Sequence, residues 1–420
     1  MKVYLDNHSG TKLDPEVLEA MLPYLTEHYG NAQSLHDLGT KSKEALETAR
    51  AQVAGLINCL PQEIIFTSCG SEANNLAIKG TASAYREYGR HIIVSAVEHL
   101  SVLYSVKRLN QLLGIEYTVV PVDKYGVVDL VEFGKSLRED TFLVSIQLAN
   151  PEIGTIQPIK KIAEIIKEFN QQKKNKQIKT LLHTDAVAAC GIVPVDVKEL
   201  EVDLLSLSAS QFYGPKGVAA LYVRKGVRIV PQIDGGIQEN GYRAGTENVA
   251  CIVGLGKAAE IAYKQLQQNY QKMLNLRDKM IKEIQKKIEY VYLNGHPDNR
   301  LPNNVNFSFE FIEGESILLL LNQKGIYVSS GSACTSKALK LSHVLEAIGI
   351  DPAVGQGSVV FTLSKYNTEE EIDYVLEQLP QVVERLRSYS PLYSHFIKTG
   401  QRMQAGPGTE YDDEEHTDIK

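Results

Sequence analysis

No apolar run in the 420 residues approaches the roughly 20 needed to cross a bilayer, which excludes a helical membrane span on sequence grounds. The five cysteines (Cys59, Cys69, Cys190, Cys251 and Cys334) are odd in number and show neither a CxxC pair nor zinc spacing. That speaks against a disulfide framework and against a metal site, and it suits free thiols in a reducing cytoplasm. Most of them are expected to serve as small apolar residues. Positive charge is not in excess: the balance is −7, which argues against generic nucleic-acid binding. The start, Met1-Lys-Val-Tyr-Leu-Asp6, goes straight into folded-looking sequence without a signal-peptide pattern, so a cytoplasmic chain is expected. No internal repeat is present. A hydrophobic content of 43% and a charged content of 23% leave an ordinary globular protein, long enough to bury a large core in two domains.

Short runs rich in Val and Ile alternate with longer helical patterns, which predicts an α/β fold with a parallel sheet. Strands are expected at 63–67, 91–95, 142–146, 180–184, 203–207 and 218–223, and helices at 14–29, 40–57, 72–88 and 250–288. Further strands are expected near 305–309 and 359–363. The division that follows is a large domain over 14–260, a smaller domain from 1–13 and 261–397, and a disordered acidic tail over 398–420. The polar, basic stretch 167–179 reads as a solvated helix end and loop.

The segment Asp203-Leu-Leu-Ser-Leu-Ser-Ala-Ser-Gln-Phe-Tyr-Gly-Pro-Lys-Gly217 resembles the cofactor segment of the cysteine desulfurases of the NifS/IscS type, members of the class-V aminotransferases. The resemblance extends over nearly the whole chain. It includes Tyr4-Leu-Asp6 with Leu13-Asp-Pro15, the stretch Glu63-Ile-Ile-Phe-Thr-Ser-Cys-Gly-Ser-Glu-Ala-Asn-Asn75, Tyr242-Arg-Ala-Gly-Thr-Glu-Asn-Val249, Leu301-Pro-Asn-Asn-Val-Asn306 and Ser329-Ser-Gly-Ser-Ala-Cys-Thr-Ser336. It implies a PLP-dependent transferase of fold type I, with a large domain built on a mainly parallel sheet and a smaller α+β C-terminal domain. The implied cofactor is pyridoxal phosphate (PLP), and the implied role of relatives is sulfur transfer from L-cysteine for iron-sulfur clusters and thio-cofactors.

The resemblance assigns roles residue by residue. Gly70 and Ser71 follow a strand and open a helix, where free N–H groups and the dipole favour a phosphate. Ser208 and Thr246 match two further phosphate contacts, Thr246 at the cofactor of a neighbouring subunit. Asp185 matches the aspartate that keeps the pyridine nitrogen protonated, and His99 the histidine that stacks on the ring and moves protons. Cys334 matches the thiol that attacks the substrate sulfur and carries the persulfide.

The departures are equally specific. Gln211 stands where the resemblance leads one to expect the Schiff-base lysine, and an amide does not condense with an aldehyde as an amine does. Ser210 replaces a phosphate-contacting histidine, Ala188 a glutamine facing the phenolic oxygen, and Pro151 an asparagine near the ring. Val360 replaces the arginine that clamps the substrate carboxylate, a bidentate task valine cannot perform. Gly10 replaces a threonine. Lys365 is a candidate substitute near Val360; Lys216 is not one for the lysine, since active relatives carry it too.

Four readings follow. The first is a pseudoenzyme that keeps fold and dimer, has lost or altered Schiff-base catalysis and carries a persulfide on Cys334. The second is an active desulfurase with a noncovalently held cofactor. The third is another enzyme using PLP or its amine form, and the fourth a purely structural or interaction role, such as heterodimerising with an active relative; either a homodimer or such a heterodimer is expected. A sulfur acceptor or scaffold protein is the expected partner class, with no nucleic acid, membrane or metal.

Overall fold

The computed structural model describes residues 1–330 and 341–402. A short strand β1 (Val3–Tyr4) opens the chain. Next come β2 (Ile64–Thr67), β3 (His91–Ser95), β4 (Glu116–Val120), β5 (Thr141–Ser145), β6 (Leu181–Asp185), β7 (Leu204–Ser208) and β8 (Ala219–Val223). They form one seven-stranded sheet in the order β2-β8-β7-β6-β5-β3-β4. The run from β4 to β7 is parallel, and β8 is antiparallel to both β7 and β2. This is the mainly parallel α/β sheet that the alternation of apolar runs and helical patterns predicts.

Side chains alternate between the two faces of each strand, and both faces are covered, as parallel sheets require. Ile92, Val94, Leu143 and Leu204 pack in one core with Leu76 of the helix Gly70–Tyr85 and with Val102 and Val106 of the helix Leu100–Leu113. Their sequence neighbours Ile93, Val144 and Leu205 pack in the other, against Leu46 and Val53 of the helix Asp37–Ile57 and Leu255 of the helix Val249–Lys287.

After the large sheet come β9 (Val291–Leu293), β10 (Asn304–Phe309), β11 (Ile326–Tyr327) and β12 (Ser358–Thr362). β10 lies between β9 and β12, antiparallel to each, while β1 pairs in parallel with β11.

Several boundaries differ from expectation. The strand β4 has no counterpart in the sequence reading, because Glu116, Tyr117 and Val119 are exposed at a sheet edge and leave no apolar run. The helix Asp37–Ile57 starts before residue 40 because the His36 ring nitrogen Nδ1 accepts from the Gly39 amide at 3.2 Å, a cap outside the usual Ser, Thr, Asp and Asn set. The expected border at residue 260 falls inside the continuous helix Val249–Lys287. The tail placed from 398 is corrected at its start, since the helix Pro391–Thr399 includes residues 398 and 399; 403–420 lie outside the described residues. Among the described residues, no helix is long and apolar enough to cross a membrane.

The pairing of β1 with β11 determines where the amino-terminal loop goes. Asp6 bridges to Thr362 at the end of β12. Thr11 then donates its backbone N–H to the Ser210 carbonyl at 2.8 Å, so the loop is laid across the turn that follows β7.

Candidate functional site

Ligands of open α/β sheets bind outside the carboxyl ends of the strands, and a cavity of about 210 Å³ lies there. Asp185 is the last residue of β6 and Ser208 the last of β7. His99 follows β3 and caps the next helix, and Gly70 and Ser71 begin the helix after β2. All of these line the cavity, together with the altered positions Pro151, Ala188, Ser210 and Gln211. Thr246 and Val360 do not, and Cys334 lies outside the described residues.

One end of the cavity suits an anion. The amides of Gly70 and Ser71 open a helix of 16 residues, where the first N–H groups lack intrahelical partners and the dipole is positive. The Glu72 amide is taken by Cys69 Sγ at 3.4 Å. The Ser208 and Ser210 hydroxyls lie 3.2 Å apart, with Ser208 beside Gly70. A Cβ on Gly70 would stand 2.8 Å from Val187 Cγ2, so glycine keeps this entrance close to the following turn. Among the described residues, none that lines the cavity is a lysine or arginine.

The other end is polar and tightly tied. Asp185 accepts from Asn74 Nδ2 at 2.6 Å through one oxygen and from the Val187 amide at 2.9 Å through the other. Asn74 also donates to Ser101 Oγ at 2.9 Å, and Ser101 lies 2.7 Å from His99 Nδ1. The Ser101 amide donates to that same Nδ1 at 3.1 Å. Neutral His99 therefore carries its proton on Nε2.

Beneath this layer Glu98 is fully buried. It accepts from Ser95 Oγ at 2.6 Å and from the Gln147 amide at 3.0 Å. Burial, with a contribution from Asp185, pushes its carboxyl up to about 8.

The positions read from sequence as departures have definite surroundings. Gln211 is half-buried, and its Nε2 donates to the His8 carbonyl at 2.9 Å. Pro151 sits on a loop held from the second sheet: Asn304 Nδ2 donates to the Pro151 and Glu152 carbonyls, each at 3.0 Å. Arg300 in turn donates to Asn304 Oδ1 and to the Ile153 carbonyl, each at 3.0 Å. Gly154 closes this loop at φ +77°, and a Cβ there would meet Asn304 Oδ1 at 2.6 Å. Val360 is buried in the middle of β12, paired with Asn306.

Lys365 is not free to act as the substitute clamp expected from sequence. Its Nζ is held by Asp14 Oδ2 at 2.5 Å, with the Tyr366 hydroxyl on the same oxygen at 2.8 Å. That correction follows from an ion pair with both side chains less than one-tenth exposed. Lys216 is exposed, away from the cavity wall.

The loop that carries Thr246 is anchored nearby. Glu239 accepts from both terminal nitrogens of Arg50 at 2.8 Å and from the Phe66 amide at 2.8 Å, all buried. Arg243 Nε donates to Glu72 Oε1 at 3.0 Å. Thr246 itself is exposed.

Three residues of the site escaped the sequence reading. Asn74 stands one helical turn beyond Gly70 on the same face, a spacing that could have revealed it. Glu98 gives no sign of burial in sequence. His8, which lines the cavity beside Gln211, is brought there only by the distant pairing of β1 with β11. Among the described residues there is no metal-ligating cluster.

Comparison with known proteins agrees with this geometry. Residues 3–375 match the family described as aminotransferase class-V. The chain is 52% identical over 390 residues to cysteine desulfurase IscS of Methanosarcina thermophila, covering 93% of this chain and 94% of that one. It is 50% identical over 390 residues to cysteine desulfurase IscS of Dictyoglomus turgidum, covering 93% and 96%. Among solved structures, a NifS-like protein superposes with a TM-score of 0.85 at 41% identity, covering 92% of this chain and all of that one. With the sheet, the cavity at its carboxyl edge and these relatives in agreement, the chain belongs to the cysteine desulfurase family of class-V aminotransferases.

Proposed function

We propose that this chain is a cysteine-desulfurase-type enzyme that holds pyridoxal phosphate, or its amine form, by noncovalent contacts alone. The observation that carries this reading is Gln211: it lines the cavity and donates to His8, while Gly70, Ser71, Ser208 and Asp185 line the cavity around it. The residues present fit the group. The amides of Gly70 and Ser71 with the hydroxyls of Ser71, Ser208 and Ser210 would hold the phosphate. Asp185, fixed by Asn74 at 2.6 Å, would hold the pyridine nitrogen, and His99 would lie against the ring with its Nε2 proton available. When bound, the cofactor supplies an electron sink for the bond-breaking step on an amino acid.

The chain's own part is binding, orientation and proton management. Asp185 supplies negative charge where a pyridinium needs it. Buried Glu98, pushed up to about 8, is neutral near pH 7 and adds no second charge beside Asp185. Gln211 leaves the cofactor carbonyl free of a protein amine. Cys334 is the candidate persulfide carrier.

The curated relatives at 52% and 50% identity are named cysteine desulfurase, which favours an active enzyme over the outright loss of catalysis that the altered residues suggest by themselves. Loss of catalysis is the second reading, favoured by Val360 and by the absence of lysine and arginine among the described residues that line the cavity. Under it the chain serves as a persulfide carrier or as the dimer partner of an active relative, Thr246 reaching the neighbour's phosphate.

The test is sulfide release from L-cysteine by the full chain with added PLP and a thiol reductant, beside Cys334→Ala. PLP-dependent release that disappears in C334A is the expected result. No release from a protein that retains PLP overturns the active reading in favour of the second.

A further inference from the structure

His8 belongs to no role assigned so far. It lines the same cavity wall as Asp185 and Gln211, and its backbone is fixed from both sides. Its amide donates to Thr362 Oγ1 at 2.9 Å, and its carbonyl accepts from Gln211 Nε2 at 2.9 Å. The preceding Asn7 donates to the Thr362 carbonyl at 2.7 Å. The imidazole thus starts beside the side chain that stands where a lysine amine is missing.

The ring is aimed as well as placed. Nδ1 lies 3.4 Å from Asp6 Oδ1 and 3.4 Å from Thr362 Oγ1, while Nε2 has no hydrogen-bond partner among the described residues. A carboxylate beside Nδ1 favours the tautomer with the proton on that nitrogen and leaves Nε2 as an acceptor. His99 has the opposite arrangement: its Nδ1 is used as an acceptor for the Ser101 amide, so Nε2 is a donor. The cavity therefore holds one histidine set to give a proton and one set to take it.

We propose that His8, oriented by Asp6 and Thr362, is the proton-accepting group of this cavity and does there what a lysine amine would do toward an amino-acid amine or its α carbon. This rests on the noncovalent reading above. In the step, the Nε2 lone pair takes the proton and the bonding electron pair stays on the ligand. The imidazolium charge is balanced by Asp6, and the proton returns to ligand or solvent. Burial lowers the affinity of His8 for a proton, with Asp6 opposing, so the neutral ring is the resting form. The titratable groups around it are Asp6 and Tyr4 on its own strand and loop, Cys69, His99 and Asp185 on the cavity wall, and Lys216 beside Gly10.

The experiment uses the full chain with ring-labelled histidine, pyridoxal phosphate as probe and L-alanine as the amino acid. His8→Gln keeps both backbone contacts and identifies the His8 resonance by its loss. The expected result has three parts. PLP shifts the His8 resonance. H8Q binds PLP within about threefold of wild type but exchanges the alanine α-hydrogen for deuterium about a hundredfold more slowly. Asp6→Asn moves the acid limb of the exchange rate to lower pH, a change that a purely structural His8 would not produce. An unmoved resonance at saturating PLP, or wild-type exchange in H8Q, overturns this proposal alone. Failure of the wild-type chain to bind PLP in equilibrium dialysis overturns the noncovalent reading and this proposal with it.

Discussion

The Gln211 amide nitrogen donates to the carbonyl of His8 across 2.9 Å, tying the turn after β7 to the amino-terminal loop. Two segments about two hundred residues apart in sequence meet here only because β1 pairs with β11 and Asp6 bridges to Thr362. The contact satisfies a donor at the cavity wall that would otherwise lose hydrogen-bonding on burial.

Under the proposed noncovalent reading, Gln211→Lys is expected to create a covalent attachment, because the new amine would end in the same cavity as Ser71, Asp185 and Ser208. After incubation with PLP, the variant should lose cofactor on gel filtration at least about tenfold more slowly than wild type, the extra bond adding to the same noncovalent contacts. Borohydride should trap PLP on residue 211 in this variant. Loss at the wild-type rate would mean that the side chain at 211 does not reach the cofactor.

Asn74→Leu removes the amide that orients Asp185 at 2.6 Å and leaves one carboxylate oxygen without its buried partner. A charge-assisted hydrogen bond of this kind contributes about 1.5–3 kcal/mol. PLP affinity should fall roughly tenfold or more, read by absorbance titration, while the far-ultraviolet circular dichroism stays unchanged.

The buried carboxyls make stability pH-dependent with a definite sign. Glu98 rises from its ordinary 4.5 to about 8 on folding, and Glu152, buried and bonded to Ser342 Oγ at 2.6 Å, rises from 4.5 to about 7. Burial is the first cause for both. A raised carboxyl means that the folded state binds a proton the unfolded chain has released. Its contribution is therefore full below pH 4.5 and declines as pH rises through the folded value. Buried His91 and His183, lowered from 6.5 to about 4 and about 3, act in the opposite sense up to pH 6.5, so urea midpoints should fall from about pH 6.5 to about 8, and Glu98→Gln should flatten that fall. An equally steep decline in the variant would remove Glu98 as its source.

Glu239→Ala should be strongly destabilising although it lies outside the cavity. It strips Arg50, only 6% exposed, of a bidentate partner and frees the loop bearing Arg243 and Thr246. Breaking one side of such a buried pair costs about 3–5 kcal/mol, measurable as a lowered denaturant midpoint. A loss below about 1 kcal/mol would place this pair with ordinary surface ion pairs.

The legible and illegible parts of the fold divide along locality. The strands that end in Asp185 and Ser208 could be read because they are buried on both faces and so write continuous apolar runs. The edge strand β4 could not, since its exposed Glu116 and Tyr117 dilute the pattern. At the site, Gly70, Ser71, His99 and Asp185 could be read from motifs that each lie within one strand-turn-helix unit. His8 could not, because its place depends on a parallel pair that joins residue 3 to residue 326. The tie of Lys365 to Asp14 is equally nonlocal, which is why that lysine looked free in sequence.

Whether the cofactor is held without a covalent bond is decided by one sequence of steps on the purified full chain. The protein is incubated with PLP, freed of unbound cofactor and scanned in the visible range, then reduced with borohydride and weighed intact. Noncovalent binding predicts a retained absorption band and an unchanged protein mass. A mass increased by one reduced PLP on a lysine such as Lys216 would contradict it, and so would a colourless protein.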